Sequence, residues 1–568
     1  DILSDLPLIE GLEKTKAASE EISLAVEKAK KTEIDINAAR EEYRPAAAES
    51  SMLYFLITDL WQIDHMYRYS LGAFTKFFFK AISRTPEKEN IVERVASLRS
   101  EIRFTIFTWV SRGLAEKHKL IYMCQIAFKM MARGDLGDES ENFKPSYLNF
   151  LLKGTRDDSK ENPIPWLSRQ AWQTVCGLMN LENFGKLGAD LDEASSRFEE
   201  WYNHVTPELE KLPMDWAQLD RKPFLKLLVI RTLRPDRMTI AMVNWLANSL
   251  PNGKAYTEAD STLSPVGMLE AALQDSAPEI PIFFILSPGA DVVAVVDQVA
   301  EKREFKKGAN YHNIALGQGQ DVVAMAKLRG GHANGHWLIL NNIHLMPRWL
   351  VECEKELDRM AMEGSHQNFR LFLTSEPTPY DPVRAIPIGI LARSIKLTME
   401  APAGLNANLK RGFNFFDPDD FDELDNRSKS IMFGMCHFHA VFLERKKFGP
   451  KGFNMMYPFS LGDLRDGALC LNNYMENAPS QIPWADLKYI FGEIIYGGHI
   501  VNDGDRLLAN TYQDFYFRDE LLGVMEMFPF VDPAAGLSFR SPTPSTHENY
   551  NKYFDNLDTE SPLAFGLH

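Results

Sequence analysis

The chain has 568 residues, 45% of them hydrophobic and 25% charged, and a net charge of −16. That composition excludes a disordered or membrane-embedded chain and allows three or four domains at about 100 to 200 residues each. The negative balance argues against nucleic acid or an acidic filament as a direct ligand, because such surfaces need clustered Lys and Arg.

Cys124, Cys176, Cys353, Cys436 and Cys470 are odd in number and scattered without a C-x-x-C pair, which suits a reducing, intracellular compartment. No apolar run reaches the roughly 20 residues of a membrane helix, and no signal-peptide pattern opens the chain. Asp1 and His568 read as cuts in a longer protein.

From Leu12 to Tyr43 there is no Gly or Pro, and Ile22, Ala29, Ile36 and Tyr43 recur every seven residues. The spacing predicts a long helix with a narrow seam, either one solvated lid helix or one strand of a coiled-coil strut. Pro45 is expected to end it. Met52 to Met131 has helical periodicity throughout and predicts an all-helical bundle. Gly154 to Pro165 lacks periodicity and marks a linker, with the first domain boundary placed there.

After an irregular helical stretch through Trp166, Trp172 and Trp201, the pattern changes at Ile280 to short apolar runs alternating with amphipathic helices. Strands are predicted at Ile282 to Leu286, Asn313 to Leu316, Trp337 to Leu340 and Arg370 to Thr374. Val292 to Glu301 and Arg348 to Met362 are predicted helices between them. This alternation defines an α/β unit with a parallel sheet. Asn414 to Phe517 returns to helix, broken near Gly449 and Pro479, as a helical lid. Phe528 to His568 is loop-rich and carries no predicted element.

An α/β core followed by a helical lid is the layout of an AAA+ module. A phosphate loop of that class needs G-x-x-x-x-G-K-[ST] after the first strand. The matching turn here is Ser287-Pro288-Gly289-Ala290-Asp291. Its Pro removes an N–H donor, its Asp repels phosphate, and Lys and Thr are missing. An acidic pair after an apolar strand should organise magnesium and the attacking water. The chain instead has Leu338-Ile339-Leu340-Asn341-Asn342, and an amide neither carries charge nor accepts a proton at neutral pH. The favoured reading of both Asn residues is hydrogen bonding to loop backbone. No catalytic and no cofactor-binding residue is assigned in this segment.

Gly317-Gln318-Gly319-Gln320 is not G-x-G-x-x-G and reads as a tight turn before a helix. Cys436, His437 and His439 lie in an apolar helical run without a further ligand pair, so they are read as core and no metal is assigned. Arg231, Arg234 and Arg237 fit either a phosphate-facing cluster or, the favoured reading, a helix end with a local ion pair. Arg393 is equally ambiguous. No Ser-His-Asp or Cys-His signature supports hydrolase chemistry.

These residues carry a resemblance to the C-terminal part of the dynein heavy-chain motor, over nearly the whole chain. Phe284-Ile285-Leu286-Ser287-Pro288-Gly289-Ala290-Asp291, Leu316-Gly317-Gln318-Gly319-Gln320 and Gly335-His336-Trp337-Leu338-Ile339-Leu340 resemble successive signatures of the sixth ring module. Phe369 to Ser375 and Lys396-Leu397-Thr398 continue it, and Tyr496-Gly497-Gly498-His499-Ile500 is similar to its lid. Ala39 to Pro45 with Ser51 to Phe55 resembles the end of the fifth module, and Arg234-Pro235-Asp236-Arg237 also recurs in the family. Asn341-Asn342 departs from the family's usual Gln-Asn, and Gly504 stands where an aromatic residue is frequent. The wording is closer to axonemal, outer-arm dyneins than to cytoplasmic ones.

The resemblance implies residues 1–155 as the lid of the fifth AAA+ module with a helix of the buttress that supports the stalk. It implies 156–405 as the large α/β subdomain of the sixth module, 406–520 as its helical lid, and 521–568 as the start of a C-terminal domain. It further implies a non-catalytic segment of an ATP-driven, minus-end-directed microtubule motor of cilia or flagella, passing conformational change around the ring. ATP and magnesium would act elsewhere in the parent motor. Implied partners are the other AAA+ modules of the same heavy chain, dynein intermediate and light chains, other heavy chains, and the microtubule through a stalk outside this chain. No nucleic acid or membrane is implied. Two alternatives remain: an AAA+ ATPase module with an unorthodox site, and a docking scaffold for other dynein subunits.

Overall fold

A computed structural model describes all residues except 1–5, 259–263, 288–289, 291, 318, 378–380, 382–384, 401–403, 478–480, 532–535, 558–560 and 568. The chain divides into two units. The first holds Asp1–Leu286 and Val292–Met399, and the second Glu400–His568 with Ser287–Asp291.

The first unit opens with α1, Leu6–Asp59, a single helix of 54 residues. Pro45 lies inside it rather than at its end, which corrects the expected stop. An interior Pro costs about 3 kcal/mol through a lost hydrogen bond and a clash with the preceding turn. That cost is outweighed by the residues beyond it, since Leu53, Leu56 and Ile57 are all buried, each contributing roughly 1.5 to 3 kcal/mol. From Gly11 to Pro45 the helix is exposed except at half-buried Ala39. The seven-residue seam is therefore bare, with Ile22 at 63% and Ile36 at 48% exposure.

Three helices receive the root of α1: α2 (Leu71–Arg84), α3 (Ile91–Ser111) and α4 (Glu116–Ala132). Ser70 and Asn90 cap α2 and α3 by accepting from Ala73 and Val92 backbone N–H groups, satisfying donors a helix start leaves free. Gly154, at φ 59°, closes the helix Pro145–Lys153 in the left-handed conformation that favours glycine. Residues on either side of that turn share one core, in which Phe107 and Tyr122 of the bundle join Trp172, Trp201 and Trp245 and, in the sheet, Phe283 and Leu340.

The sheet is wholly parallel, in the order β2-β3-β4-β1-β5. Its strands are β1 Ile282–Leu286, β2 Tyr311–Ala315, β3 Trp337–Asn341, β4 Arg370–Ser375 and β5 Ile395–Met399. All five β1 residues are buried, as expected for a strand covered on both faces. The connecting helices Val293–Lys302 and Pro347–Glu363 fall within one residue of the expected bounds. β2 runs two residues earlier than expected and ends at Ala315, because Tyr311 pairs with Trp337. β5 was not expected as a strand. Lys396 interrupts its apolar run, yet this lysine is 1% exposed. Its ammonium donates to the carbonyls of Arg68 and Leu391, the latter at 2.7 Å, and lies 4.2 Å from the Tyr69 ring centre.

The second unit is helical around Asn426–Arg445, whose residues are almost all buried. Leu461–Asn477, the π-type turn Ile490–Tyr496 and Asp503–Tyr516 follow. The break near Gly449 is present as a kink at φ 55°, whereas Pro479 lies outside the described residues. The loop-rich tail contributes the α-helix His547–Phe554, with Tyr550 and Phe554 in the unit's core, and the short 3-10 helix Pro562–Phe565. Tyr512 Oη donates to the Phe565 carbonyl at 2.6 Å, and Arg445 donates to the same carbonyl.

Candidate functional site

In a parallel sheet of this kind, ligands meet the carboxyl ends of the strands, where polar side chains gather. Asn313 sits on β2, Asn341 ends β3, Asn342 follows it, and Thr374 with Ser375 ends β4. Asn341 Nδ2 donates to Asn313 Oδ1 at 2.6 Å. Thr374 Oγ1 donates to Asn341 Oδ1 at 3.2 Å and accepts the Asn342 backbone N–H at 3.0 Å. The Asn341 amide and the Thr374 hydroxyl are thus engaged with each other and with their neighbours.

Asn342 adopts φ 57° and ψ 46°, a left-handed conformation that Asn tolerates better than most residues. Ser375 Oγ lies 3.3 Å from His344 Nδ1 and donates to the Glu376 carbonyl at 3.0 Å. Burial pushes the His344 imidazole below its ordinary value, against the weaker pull of Glu376. No carboxylate takes part in these bonds, so they offer no anionic magnesium ligand.

Sequence reasoning found Asn341 and Asn342 but missed Asn313, Thr374, Ser375 and His344. Its signal was available: Thr374-Ser375 closes an otherwise apolar strand, as Asn341-Asn342 does. Of the degenerate phosphate loop, Ser287 and Ala290 are described, with the Ala290 N–H donating to the Ser287 carbonyl at 3.0 Å. Pro288, Gly289 and Asp291 lie outside the described residues, as does Gln318 of the Gly317 to Gln320 turn.

Of the remaining arginine candidates, Arg234 and Arg237 share Asp236 and Glu208 as neighbours. Arg234 donates to Asp236 Oδ1 at 3.0 Å and to the Tyr202 and His204 carbonyls. Arg237 donates to Glu208 Oε2 at 3.1 Å, and Arg231 to the Leu151 carbonyl at 3.2 Å. Arg393 holds Asp358 and the Gly389 carbonyl. In the second unit, His439 Nδ1 is 2.9 Å from Tyr496 Oη, while His437, fully buried, is enclosed by Tyr516, Phe539 and Phe433 rings. Neither His437 nitrogen has a hydrogen-bond partner among the described residues. No group of three or more His, Cys, Asp or Glu able to hold a metal occurs among the described residues, and no described helix is long and apolar enough to cross a membrane.

A parallel α/β unit with nucleotide-type positions at its strand ends, followed by a helical lid, is the class of an AAA+ module. Residues 277–398 match the dynein heavy chain region D6 P-loop domain, and residues 428–568 match the dynein heavy chain AAA lid domain. The chain belongs to the dynein heavy-chain family, of which it carries these two domains. It is 39% identical over 577 residues to dynein axonemal heavy chain 9 of Homo sapiens, and 38% over 573 residues to the ciliary dynein beta chain of Heliocidaris crassispina. With the flagellar outer-arm dynein beta chain of Chlamydomonas reinhardtii it shares 39% identity over 600 residues. Each of these matches covers 100% of this chain and 12% of the relative's length.

Proposed function

We propose that this chain is a non-hydrolysing segment of an ATP-driven, minus-end-directed microtubule motor of ciliary or flagellar axonemes, and that it passes domain movements around an AAA+ ring. In this reading residues 1–155 form the lid of a fifth module with a buttress-like helix, and 156–405 the large subdomain of the sixth. Residues 406–520 are its lid and 521–568 the passage into a C-terminal domain. Nucleotide and magnesium are held by other modules of the parent chain. The partners are those modules, further dynein subunits, and the microtubule through a stalk outside this segment. The names of the relatives, axonemal, ciliary and flagellar outer-arm, support the location.

The observation that carries the reading is the strand-end network. Where a hydrolysing module needs carboxylates, Asn341 is bonded to Asn313 and Thr374, and the loop after β1 has no Lys to neutralise phosphate. Rigid modules with bistable interfaces transmit change without chemistry. The test is calorimetry of ATP and ADP, each with magnesium, against the folded chain beside an active AAA+ module. No heat beyond dilution is expected. Tight, magnesium-dependent binding would overturn the proposal and make this an ATPase module with an unorthodox site.

A further inference from the structure

Far from the strand ends, α4, the helix Pro145–Lys153 and the helix Met238–Ser249 border a groove of about 640 Å³. Its walls are apolar: Leu120, Ile121 and Phe128 from α4, Leu152 opposite, and Met238 and Met242 along the third side. Leu152 is 67% exposed and Ile121 43%, so the apolar surface is open to solvent and methionine lets it adapt to an occupant's shape.

One charged group says what kind of occupant the groove fits. Arg231 lies at the edge, over Gly154, where a Cβ would meet its Nη2 at 2.7 Å. It donates through Nε to the Leu151 carbonyl, and no carboxylate pairs with it among the described residues. Lys117 and Lys153, both exposed, stand in the adjoining turns. In a chain of net charge −16, this rim is locally basic.

We propose that the groove is a docking site for an amphipathic helix of a partner protein that seats Leu-type side chains on Leu120, Phe128 and Met242 and places a carboxylate on Arg231. The geometry is helix-in-groove recognition, in which apolar anchors at helical spacing supply affinity and a flanking charge sets orientation.

The test uses the full chain and three fluorescent designed helices sharing one Leu face, with Glu, Lys or Gln on the polar flank, followed by anisotropy at low and high salt. The Glu helix should bind best and lose affinity as salt rises. Leu152→Glu, at an exposed position, should weaken it by about tenfold or more, and Arg231→Glu should move the preference to the Lys helix. Circular dichroism of each variant verifies folding. Three outcomes overturn the proposal: no binding of any helix, equal binding of all three, or self-association of the chain that Leu152→Glu abolishes. The last would assign the groove to a second copy.

Discussion

The Glu49 carboxylate accepts from Arg103 Nε at 2.6 Å, and both side chains are buried where α1 enters the bundle. Arg99 donates to the other oxygen at 2.5 Å and reaches Asp135 at 2.7 Å, while Arg133 donates to the Ala48 carbonyl at 3.0 Å. The root of the projecting helix is therefore held by charge as well as by packing.

Removing one partner of a buried ion pair leaves the other uncompensated, at a cost of about 3 to 5 kcal/mol. Glu49→Gln should lower the denaturant midpoint accordingly. Glu41→Gln removes the exposed partner of Arg44 and should change stability by less than about 1 kcal/mol. Equal effects from the two substitutions would refute the clamp.

Acid should loosen the second unit first. Burial holds His437 at about 3 and His439 at about 4, both below the ordinary 6.5. The unfolded chain binds these protons from 6.5 downward while the folded chain does not. Stability is thus fully present above pH 6.5 and falls as pH drops toward 4, by on the order of 3 kcal/mol for His437 alone. Hydrogen exchange of peptides spanning Asn426–Arg445 at pH 7.5 and pH 5 should show the loss, and His437→Leu should reduce it.

β5 yields a prediction of its own at Gly113. A Cβ there would meet Lys396 Cβ at 2.7 Å and Tyr69 Oη at 3.0 Å, so Gly113→Ala should destabilise by about 1 to 3 kcal/mol through overpacking. Lys396 itself titrates near 7 because burial disfavours its charge. Between pH 7 and the ordinary value of 10.5 the unfolded state binds the extra proton, and stability should rise with pH. Lys396→Met should flatten that rise in thermal melts.

Asn342 separates backbone strain from chemistry. Asn342→Gly should be near neutral or mildly stabilising, whereas Asn342→Val, β-branched at positive φ, should cost about 1 to 2 kcal/mol. Asn342→Glu restores a carboxylate at the strand end yet should give no magnesium-dependent ATP hydrolysis in a phosphate-release assay, because the β1 loop still lacks its lysine.

The parallel sheet was legible because four of its strands are short apolar runs between helices of fitting length. β5 was not, because the cost of burying Lys396 is offset by the nearby Leu391 carbonyl and by the Arg68 carbonyl and Tyr69 ring, which lie far away in sequence. The end of α1 was misjudged for a related reason. Pro45 is a strong local signal, and its override comes from the burial of Leu53 and Ile57 together with the Glu49 clamp. At the strand ends, Asn341 and Asn342 stood out as replacements for acids, but their bonds to Asn313 and Thr374 required the β2-β3-β4 register. His437 in its aromatic enclosure was recognisable as core, while the lack of partners for its ring nitrogens was visible only in three dimensions.

Pro45 also has a mechanical meaning. It has no N–H to give the carbonyl one turn earlier, and it stands one residue before Ala46, where burial of α1 begins. The helix is thus softest at its exit from the bundle, beside a root bolted down by Glu49. Over the 34 residues from Gly11 to Arg44, which at 1.5 Å each extend about 50 Å, a sideways load concentrates its bending at this flexure.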